Sequence, residues 1–228
     1  MTRPAASFGA YLTNAKLGPA SRSLGKQFFL GVILAHASFA QQLPKVMTKV
    51  EVFLEGPDIP AGSFATKPKV MYRAGSRYCR IEEAPDPENE IQGLAIISEP
   101  DYWMVNLLKK TAKHAVDPGP SFNCHLPIFP DTDKDLEFGF EIEYFKAKGA
   151  TPHQGPVLQT KSTTIYKVDV GNEALALFTY GTPERPMLVS RVHGDKGEIY
   201  WFKGWGDLQF DPALFARPEG VKIEEQKP

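Results

Sequence analysis

From residue 46 onward, apolar and polar side chains alternate with a period of two, as in a β-strand that has one face buried. The clearest alternation covers residues 136–144, where apolar side chains share one face and acidic residues or glycine share the other. The apolar positions are Leu136, Phe138, Phe140, Ile142 and Tyr144. The sequence predicts a strand there, with these five side chains buried and Glu141 in solvent.

Further strands are indicated on both sides of two turn sequences. Residues 94–97 and 102–107 flank Ser98-Glu99-Pro100-Asp101, while residues 187–193 and 198–205 flank Gly194-Asp195-Lys196-Gly197. The second turn has the composition of a β-hairpin turn. Residues 160–170 are rich in Thr, Ile, Tyr and Val, which suit a pleated surface. Together with residues 46–54, these segments predict a mainly β fold.

Helical signals are few. The best begins at Asp211-Pro212, where Asp can cap the helix and Pro suits its first turn. Residues 43–49 are a weaker candidate, in which a helix would open before the first strand.

Three predicted strands are apolar on both faces: residues 94–97, 102–108 and 174–178. A sheet with one solvated face does not need this pattern, so either a second layer covers the other face or that face lines an apolar cavity. Residues 117–135 form a long proline-containing loop that also holds Phe122, Leu126, Ile128 and Phe129. Such a loop is typically packed down, and often lids a site.

Composition excludes several classes of protein. The 26 Lys and Arg residues nearly balance the 27 Asp and Glu residues, which disfavours a nucleic-acid binder with a basic face. Two cysteines are too few for a four-cysteine zinc site or a disulfide-dense domain. An aromatic content of 11% disfavours disorder.

The first 40 residues differ from the rest, because they hold four basic residues and no acidic one. Lys26 precedes an apolar run over residues 28–35, and Ala37-Ser38-Phe39-Ala40 then offers the small residues of a cleavage site. Residues 28–40 are shorter than the ~20 residues that span a bilayer. We therefore expect residues 1–40 to be a secretory signal peptide, and residues 41–228 to be a single exported domain without a transmembrane span.

Sequence motifs for catalysis are lacking. Beyond the predicted signal, His114, His125, His153 and His193 lie far apart, without the spacing of a metal site, and no Gly-x-Ser-x-Gly motif is present. Glu141 and Glu143 share one predicted strand face, which is more typical of a solvated face than of acid–base chemistry. We expect no catalytic residue, no metal and no cofactor.

The two cysteines leave two alternatives open. In an exported protein Cys79 and Cys124 could pair as a disulfide. Otherwise Cys79 is a buried thiol in a strand, and Cys124 is an unrelated thiol in the apolar loop.

The chain over residues 45–222 resembles the periplasmic lipoprotein-carrier and lipoprotein-like half-barrel superfamily, whose members include proteins that sort outer-membrane lipoproteins. The resemblance lies in strands at residues 50–54, 70–73 and 77–83, in residues 96–105 and 109–116, and in the closing residues 210–220. It implies a mainly β (α+β) fold, with a strongly curved antiparallel sheet that forms a half-open barrel under a loop or short-helix lid.

From these features we expect an exported, non-enzymatic binding protein that shelters an apolar ligand, such as an acyl chain, a lipid or a lipoprotein. The partner would be that ligand and not a nucleic acid, and the protein would be a monomer. The expected ligand-binding residues are Leu94, Ile96, Trp103, Val105, Phe129, Phe138, Phe140 and Ile142. The alternative is a secreted structural or interaction scaffold whose β core is filled by its own side chains.

Overall fold

The structure is a computed structural model that describes residues 43–57, 59–60, 62, 66–116, 123–125 and 135–225. The chain divides into two compact units, Met1–Leu43 and Pro44–Pro228. Every element described below lies in the second unit. The predicted signal peptide and Phe129 lie outside the described residues.

Twelve strands, one α-helix and one 3₁₀ helix make up the described fold. The strands are β1 (Val46–Glu55), β2 (Lys69–Ala74), β3 (Tyr78–Glu83), β4 (Gly93–Ser98), β5 (Asp101–Asn106), β6 (Thr111–Val116), β7 (His153–Gln154), β8 (Thr164–Val170), β9 (Glu173–Tyr180), β10 (Arg185–His193), β11 (Lys196–Gln209) and β12 (Lys222–Glu225). The helix α1 (Glu141–Ala147) lies between β6 and β7, and the 3₁₀ helix (Pro212–Phe215) lies between β11 and β12.

All twelve strands belong to one sheet, in the order β12-β6-β5-β4-β3-β2-β1-β11-β10-β9-β8-β7. Neighbouring strands are antiparallel, except that β12 pairs with β6 in parallel. The sheet is open and curled, and it does not close into a barrel. The predicted fold class, a mainly β protein with a curved antiparallel sheet, is confirmed.

One face of the sheet carries the larger apolar cluster. In sheet order the cluster spans β4-β3-β2-β1-β11-β10-β9-β8, and this face is therefore the inner face of the curl. Its buried members are Val50, Val52, Leu54, Met71, Cys79, Ile97, Cys124, Leu136, Phe138, Tyr144, Phe145, Tyr166, Val168, Leu175, Leu177, Val189, Tyr200 and Phe202. The cluster takes side chains both from the strands and from Cys124 and residues 136–145, so these residues cover part of the inner face.

The outer face of β2–β6 is covered by the end of the chain. After β11, residues 210–223 return across this face, and Phe210 and Phe215 stack with ring centroids 5.5 Å apart. The buried members of this outer cluster are Met47, Ala74, Leu94, Ile96, Trp103, Val105, Ala112, Phe210 and Phe215. Strands β4 and β5 are thus apolar on both faces because one face belongs to the outer cluster and the other belongs to the inner face of the curl.

Several local predictions are confirmed. Strands β4 and β5 flank the turn at Glu99 and Pro100, and β10 and β11 flank the turn at Gly194 and Asp195. The carboxylate of Asp211 accepts a hydrogen bond from the Ala213 N–H at 2.9 Å and caps the 3₁₀ helix. The helical prediction for residues 43–49 is wrong, because β1 already begins at Val46 and pairs with β11 and β2.

The strand prediction for residues 136–144 is also wrong. Gly139 has a φ of +85°, which breaks an extended segment, and α1 begins at Glu141. The change of conformation reverses two expected exposures: Phe140 is 39% exposed, whereas Glu141 is only 2% exposed. The buried residues of α1 are Glu141, Tyr144 and Phe145, at the i, i+3, i+4 spacing of one helix face.

A disulfide joins Cys79 in β3 to Cys124, and the described residues hold no free cysteine. Of the two alternatives for the cysteines, the structure has the paired one. The bond holds Cys124 against the inner face of the sheet.

Candidate ligand-binding site

Strands β3, β4 and β5 carry a row of apolar side chains on the inner face. Directly opposed residues of neighbouring antiparallel strands lie on the same face. The register pairs Met71 with Ile81, Ile81 with Ala95, and Ala95 with Met104. Since Met71 belongs to the inner cluster, its cross-strand partners also face inward.

We call Ile81, Ala95, Ile97, Tyr102 and Met104 the inner row. The second pair of the row follows from the same register, which opposes Cys79 to Ile97 and Ile97 to Tyr102. Ile97 and Met104 are buried, whereas Ile81, Ala95 and Tyr102 remain half-buried. The inner row is therefore an apolar surface that is only partly covered.

Residues 136–147, which we call the cover segment, lie over a different part of the inner face. The ring of Phe138 stacks on Trp205 of β11 with centroids 5.9 Å apart, and α1 packs against β8 and β9. Phe138 and Phe145 have no exposed surface. The cover segment thus packs against β8, β9 and β11, whereas the inner row lies on β3, β4 and β5.

Arg73 in β2 holds the cover segment against the sheet. Its Nη1 donates to the carbonyl oxygen of Phe138, and its Nη2 donates to Glu137 Oε2 at 2.8 Å. The guanidinium also lies over the Phe140 ring, with 4.1 Å between Cζ and the ring centroid. A Cβ atom on Gly139 would stand 3.1 Å from Arg73 Cδ, so the close approach suits glycine. One side chain therefore fixes the start of the cover segment.

Glu141 is a buried carboxyl group at the start of α1. Both of its oxygens accept the Gly139 N–H at 3.0 Å. Burial raises the pKa of Glu141 to about 7, although the hydrogen bond from Gly139 and the charge of Arg73 favour the ionised form. The pKa of this buried carboxyl group consequently lies near neutral pH.

A buried ionisable pair, Lys69 and Glu83, also lies on the inner face. Lys69 is two residues from Met71 along β2, and Glu83 is two residues from Ile81 along β3. The two residues are directly opposed across β2 and β3, and they are 4% and 9% exposed. Burial lowers the pKa of Lys69 and raises that of Glu83, while the attraction between the two groups opposes both shifts. The apolar inner row therefore borders a polar pair on this side.

The structure separates the eight ligand-binding residues predicted from the sequence. Leu94, Ile96, Trp103 and Val105 belong to the outer cluster beneath the C-terminal residues. Phe138 and Ile142 lie with the inner cluster, and Phe140 lies beneath Arg73 with part of its ring exposed. The eighth residue, Phe129, is not among the described residues. The predicted set therefore does not form one surface.

The inner row was not predicted from the sequence. The residues predicted in β4 and β5 lie on the opposite face of these strands. Ala95 and Met104 alternate with the predicted residues along the same strands, so they belong to the second apolar face already visible in the sequence. What the sequence lacks is the strand register and the position of the C-terminal residues, which decide which face is inner.

Within the described residues, no group of three or more His, Cys, Asp or Glu side chains is placed to hold a metal ion. The same residues contain no helix with the length and apolar character needed to cross a membrane.

Several solved structures are similar to this chain. The chain is similar to an uncharacterized conserved protein from Thermus thermophilus, with 11% identity, a TM-score of 0.49, and coverage of 81% of this chain and 92% of that one. It is also similar to a LolA superfamily protein from Nitrosomonas europaea, with 7% identity, a TM-score of 0.37, and coverage of 77% and 91%.

No protein-family description matches the chain, and no curated protein matches it either. The two structural likenesses have TM-scores below 0.5 and assign neither a family nor a function to this chain. The functional proposal below consequently rests on the geometry of the inner face.

Proposed function

We propose that this protein is a non-enzymatic binding protein that shelters an apolar ligand, such as an acyl chain, against the inner face of its curled sheet. The observation that carries the proposal is the partly covered inner row beside the cover segment. Ile81, Ala95 and Tyr102 keep exposed apolar surface inside the curl of an open sheet, where most other inward side chains are buried.

An apolar inner face is sufficient to bind an acyl chain. Transfer of a chain from water to an apolar surface yields about 0.8 kcal/mol for each methylene that is fully buried. The inner row needs no special chemistry for this purpose, only continuous apolar side chains. The cover segment supplies further apolar surface at its edge, where Ile142 is half-buried.

We further propose that the protein acts as a monomer in the periplasm, or outside the cell, after removal of residues 1–40. This part of the proposal is supported by the basic first 40 residues and by Ser38-Phe39-Ala40. The disulfide between Cys79 and Cys124 agrees with an oxidising compartment. N-terminal sequencing of protein from the envelope fraction should read from Gln41; a start at Met1 in a cytoplasmic fraction would contradict export.

Native mass spectrometry of the protein purified from its own cells tests the binding function. We expect the protein to carry a bound molecule whose mass matches an acyl lipid. This added mass should disappear when the protein is delipidated. The delipidated protein should then bind an environment-sensitive fatty-acid probe at micromolar concentration. A protein without a bound lipid that also fails to bind the probe would contradict the proposal.

One observation favours a structural scaffold instead. The cover segment places the fully buried Phe138 and Phe145 against part of the inner face, as the core of a protein without a ligand would be filled. Under this second function the inner row would also be covered in solution, and the delipidated protein would bind no probe. The same titration thus separates the two functions.

A further inference from the structure

A second concave surface lies away from the inner row, near the other end of the strand order, around β8, β9 and the start of β10. It is an open cleft of about 580 Å³, a volume in the usual range for small-molecule sites. The lining residues are Pro152, Ser162, Thr163, Thr164, Tyr166, Tyr180, Gly181, Thr182 and Glu184. Six of these nine residues carry a hydroxyl group and one carries a carboxylate.

Two close approaches fix the first wall of the cleft. Thr163 donates its hydroxyl proton to the carbonyl oxygen of Pro156 at 2.6 Å, and the Gly155 N–H donates to the Thr163 carbonyl oxygen at 2.8 Å. A Cβ atom on Gly155 would stand only 2.4 Å from Thr163 Oγ1, so no other residue fits without displacement. Ser162 and Thr164, on either side of Thr163, are thereby held at the cleft.

The opposite wall is the turn between β9 and β10. Gly181 has a φ of +82°, and the turn continues through Thr182 to Glu184. The hydroxyl groups of Thr182, Tyr180 and Ser162 have no hydrogen-bond partner among the residues that the structure describes. They are therefore available to a bound molecule, and each can both donate and accept.

Two buried hydroxyl groups orient the carboxylate of Glu184 through hydrogen bonds. Tyr166 donates to Glu184 Oε2 at 2.9 Å, and Thr179 donates to Oε1. Burial, and then the hydrogen bond to Glu184, raise the pKa of Tyr166 to about 12, so this group keeps its proton and acts as a donor. A carboxylate has about four acceptor sites, and the half-buried Glu184 keeps acceptor capacity for the cleft.

The lining selects among classes of ligand. It contains no lysine or arginine, and its carboxylate repels phosphate and other anions. Two described cations lie over rings of the lining: Lys161 Nζ is 3.7 Å from the centroid of the Tyr180 ring, and Lys146 Nζ is 5.8 Å from that of the Tyr166 ring. An acyl chain would bury hydroxyl groups without partners, which is unfavourable. A molecule with several adjacent hydroxyl groups can donate hydrogen bonds to the Glu184 carboxylate. Its hydroxyl oxygens can also accept hydrogen bonds from Ser162 and Thr182.

We propose that this cleft binds a neutral saccharide, with Glu184 accepting hydrogen bonds from sugar hydroxyl groups and Thr182 and Ser162 bonding to their neighbours. The site is separate from the inner row, and the proposal does not depend on the binding of an apolar ligand. Because the cleft is open and its contacts are hydrogen bonds, we expect weak binding, with dissociation constants on the order of 1 mM.

Titration of the ¹⁵N-labelled full chain with maltotriose, cellotriose and tri-N-acetylchitotriose tests the proposal by NMR. At least one of these probes should shift the amide signals of Thr164, Gly181 and Thr182 in a saturable manner. A trigalacturonate, which is anionic, should bind more weakly than the best neutral probe. If none of the three neutral probes shifts these signals, the proposal is overturned.

Two variants locate the binding. Glu184→Gln should weaken the best probe about tenfold, since it replaces a charged acceptor by a neutral one. Thr182→Val removes a single exposed hydroxyl group at an unchanged shape, so it should fold normally and weaken the probe several-fold. The control Glu219→Gln removes an exposed carboxylate elsewhere and should have no effect. Wild-type affinity in Thr182→Val, together with wild-type affinity in any folded Glu184→Gln protein, would place the saccharide elsewhere and overturn the assignment.

Discussion

Trp103 and Met104 are consecutive residues of β5, and their side chains lie on opposite faces of the sheet. Trp103 belongs to the outer cluster and stacks on His114, with 5.2 Å between ring centroids. Met104 is directly opposed to Ala95 on the inner face. The two residues therefore report on two different layers of the protein, and the proposed ligand contacts only one of them.

Replacement of Trp103 by alanine should destabilise the fold without weakening ligand binding. A buried tryptophan side chain is lost from the outer cluster, and the free energy of unfolding should fall by about 3–5 kcal/mol. Urea unfolding measures this loss. At a temperature where the variant is still folded, its affinity for a fatty-acid probe should equal that of the wild type. A large loss of affinity with unchanged stability would place Trp103 in the site.

The disulfide between Cys79 and Cys124 should stabilise the fold by restricting the unfolded chain. It closes a loop with a sequence separation of 45, for which the chain-entropy relation gives roughly 4 kcal/mol as an upper figure. We expect the double variant Cys79→Ala, Cys124→Ala to lose about 2–4 kcal/mol in urea unfolding.

Dithiothreitol provides the control for this prediction. It should lower the urea midpoint of the wild type towards that of the double variant, and it should leave the double variant unchanged. If the wild type is as stable with the reductant as without it, although both thiols become titratable, the disulfide does not stabilise the fold.

The stability of the protein should depend on pH near neutrality because of Glu141. Its pKa in the folded state is raised from 4.5 to about 7 by burial. A carboxyl group with a raised pKa binds its proton more tightly in the folded state, so its contribution to stability is full below pH 4.5 and is lost as the pH rises through about 7. The change is on the order of 3 kcal/mol.

The variant Glu141→Gln tests this pH dependence, since an uncharged amide can still accept the Gly139 N–H. Urea midpoints measured from about pH 4 to about pH 8.5 should fall with pH in the wild type more than in the variant. At about pH 8 the variant should be the more stable protein. Parallel pH profiles for the two proteins would show that Glu141 does not titrate in this range. Glu143, which is exposed on α1, provides the control variant Glu143→Gln.

Those strands that have a strong local signal were predictable from the sequence. The period of two and the turn residues located β1, β4, β5, β10 and β11. The helix α1 was missed because Leu136 and Phe138 continue the alternation of a strand up to Gly139. Its signals were nevertheless present: Glu141 and Glu143 in the first turn, Lys146 in the last, and Gly149 just beyond the end.

The location of the site was not predictable in the same way. Strands β4 and β5 are apolar on both faces, and local sequence cannot tell which face turns inward. That choice depends on contacts between distant parts of the chain. Phe210 and Phe215 cover one face, and the disulfide from Cys79 holds Cys124 at the other. The buried state of Glu141 likewise results from packing of α1 on the sheet.

The most direct test of the binding function is to fill the inner row. Ala95 is a half-buried alanine in the middle of β4 that faces inward, and Ala176 is a half-buried alanine in β9 on the outer face, between the inward residues Leu175 and Leu177. A tryptophan at each position adds the same bulk to opposite faces of the sheet.

Fluorescence titration with an environment-sensitive fatty-acid probe, on delipidated protein, compares the two variants. We expect Ala95→Trp to weaken the affinity for the probe at least tenfold, whereas Ala176→Trp should bind it with the affinity of the wild type. Circular dichroism confirms that both variants are folded. Equal affinities for the wild type and both folded variants would contradict a ligand site on the inner row.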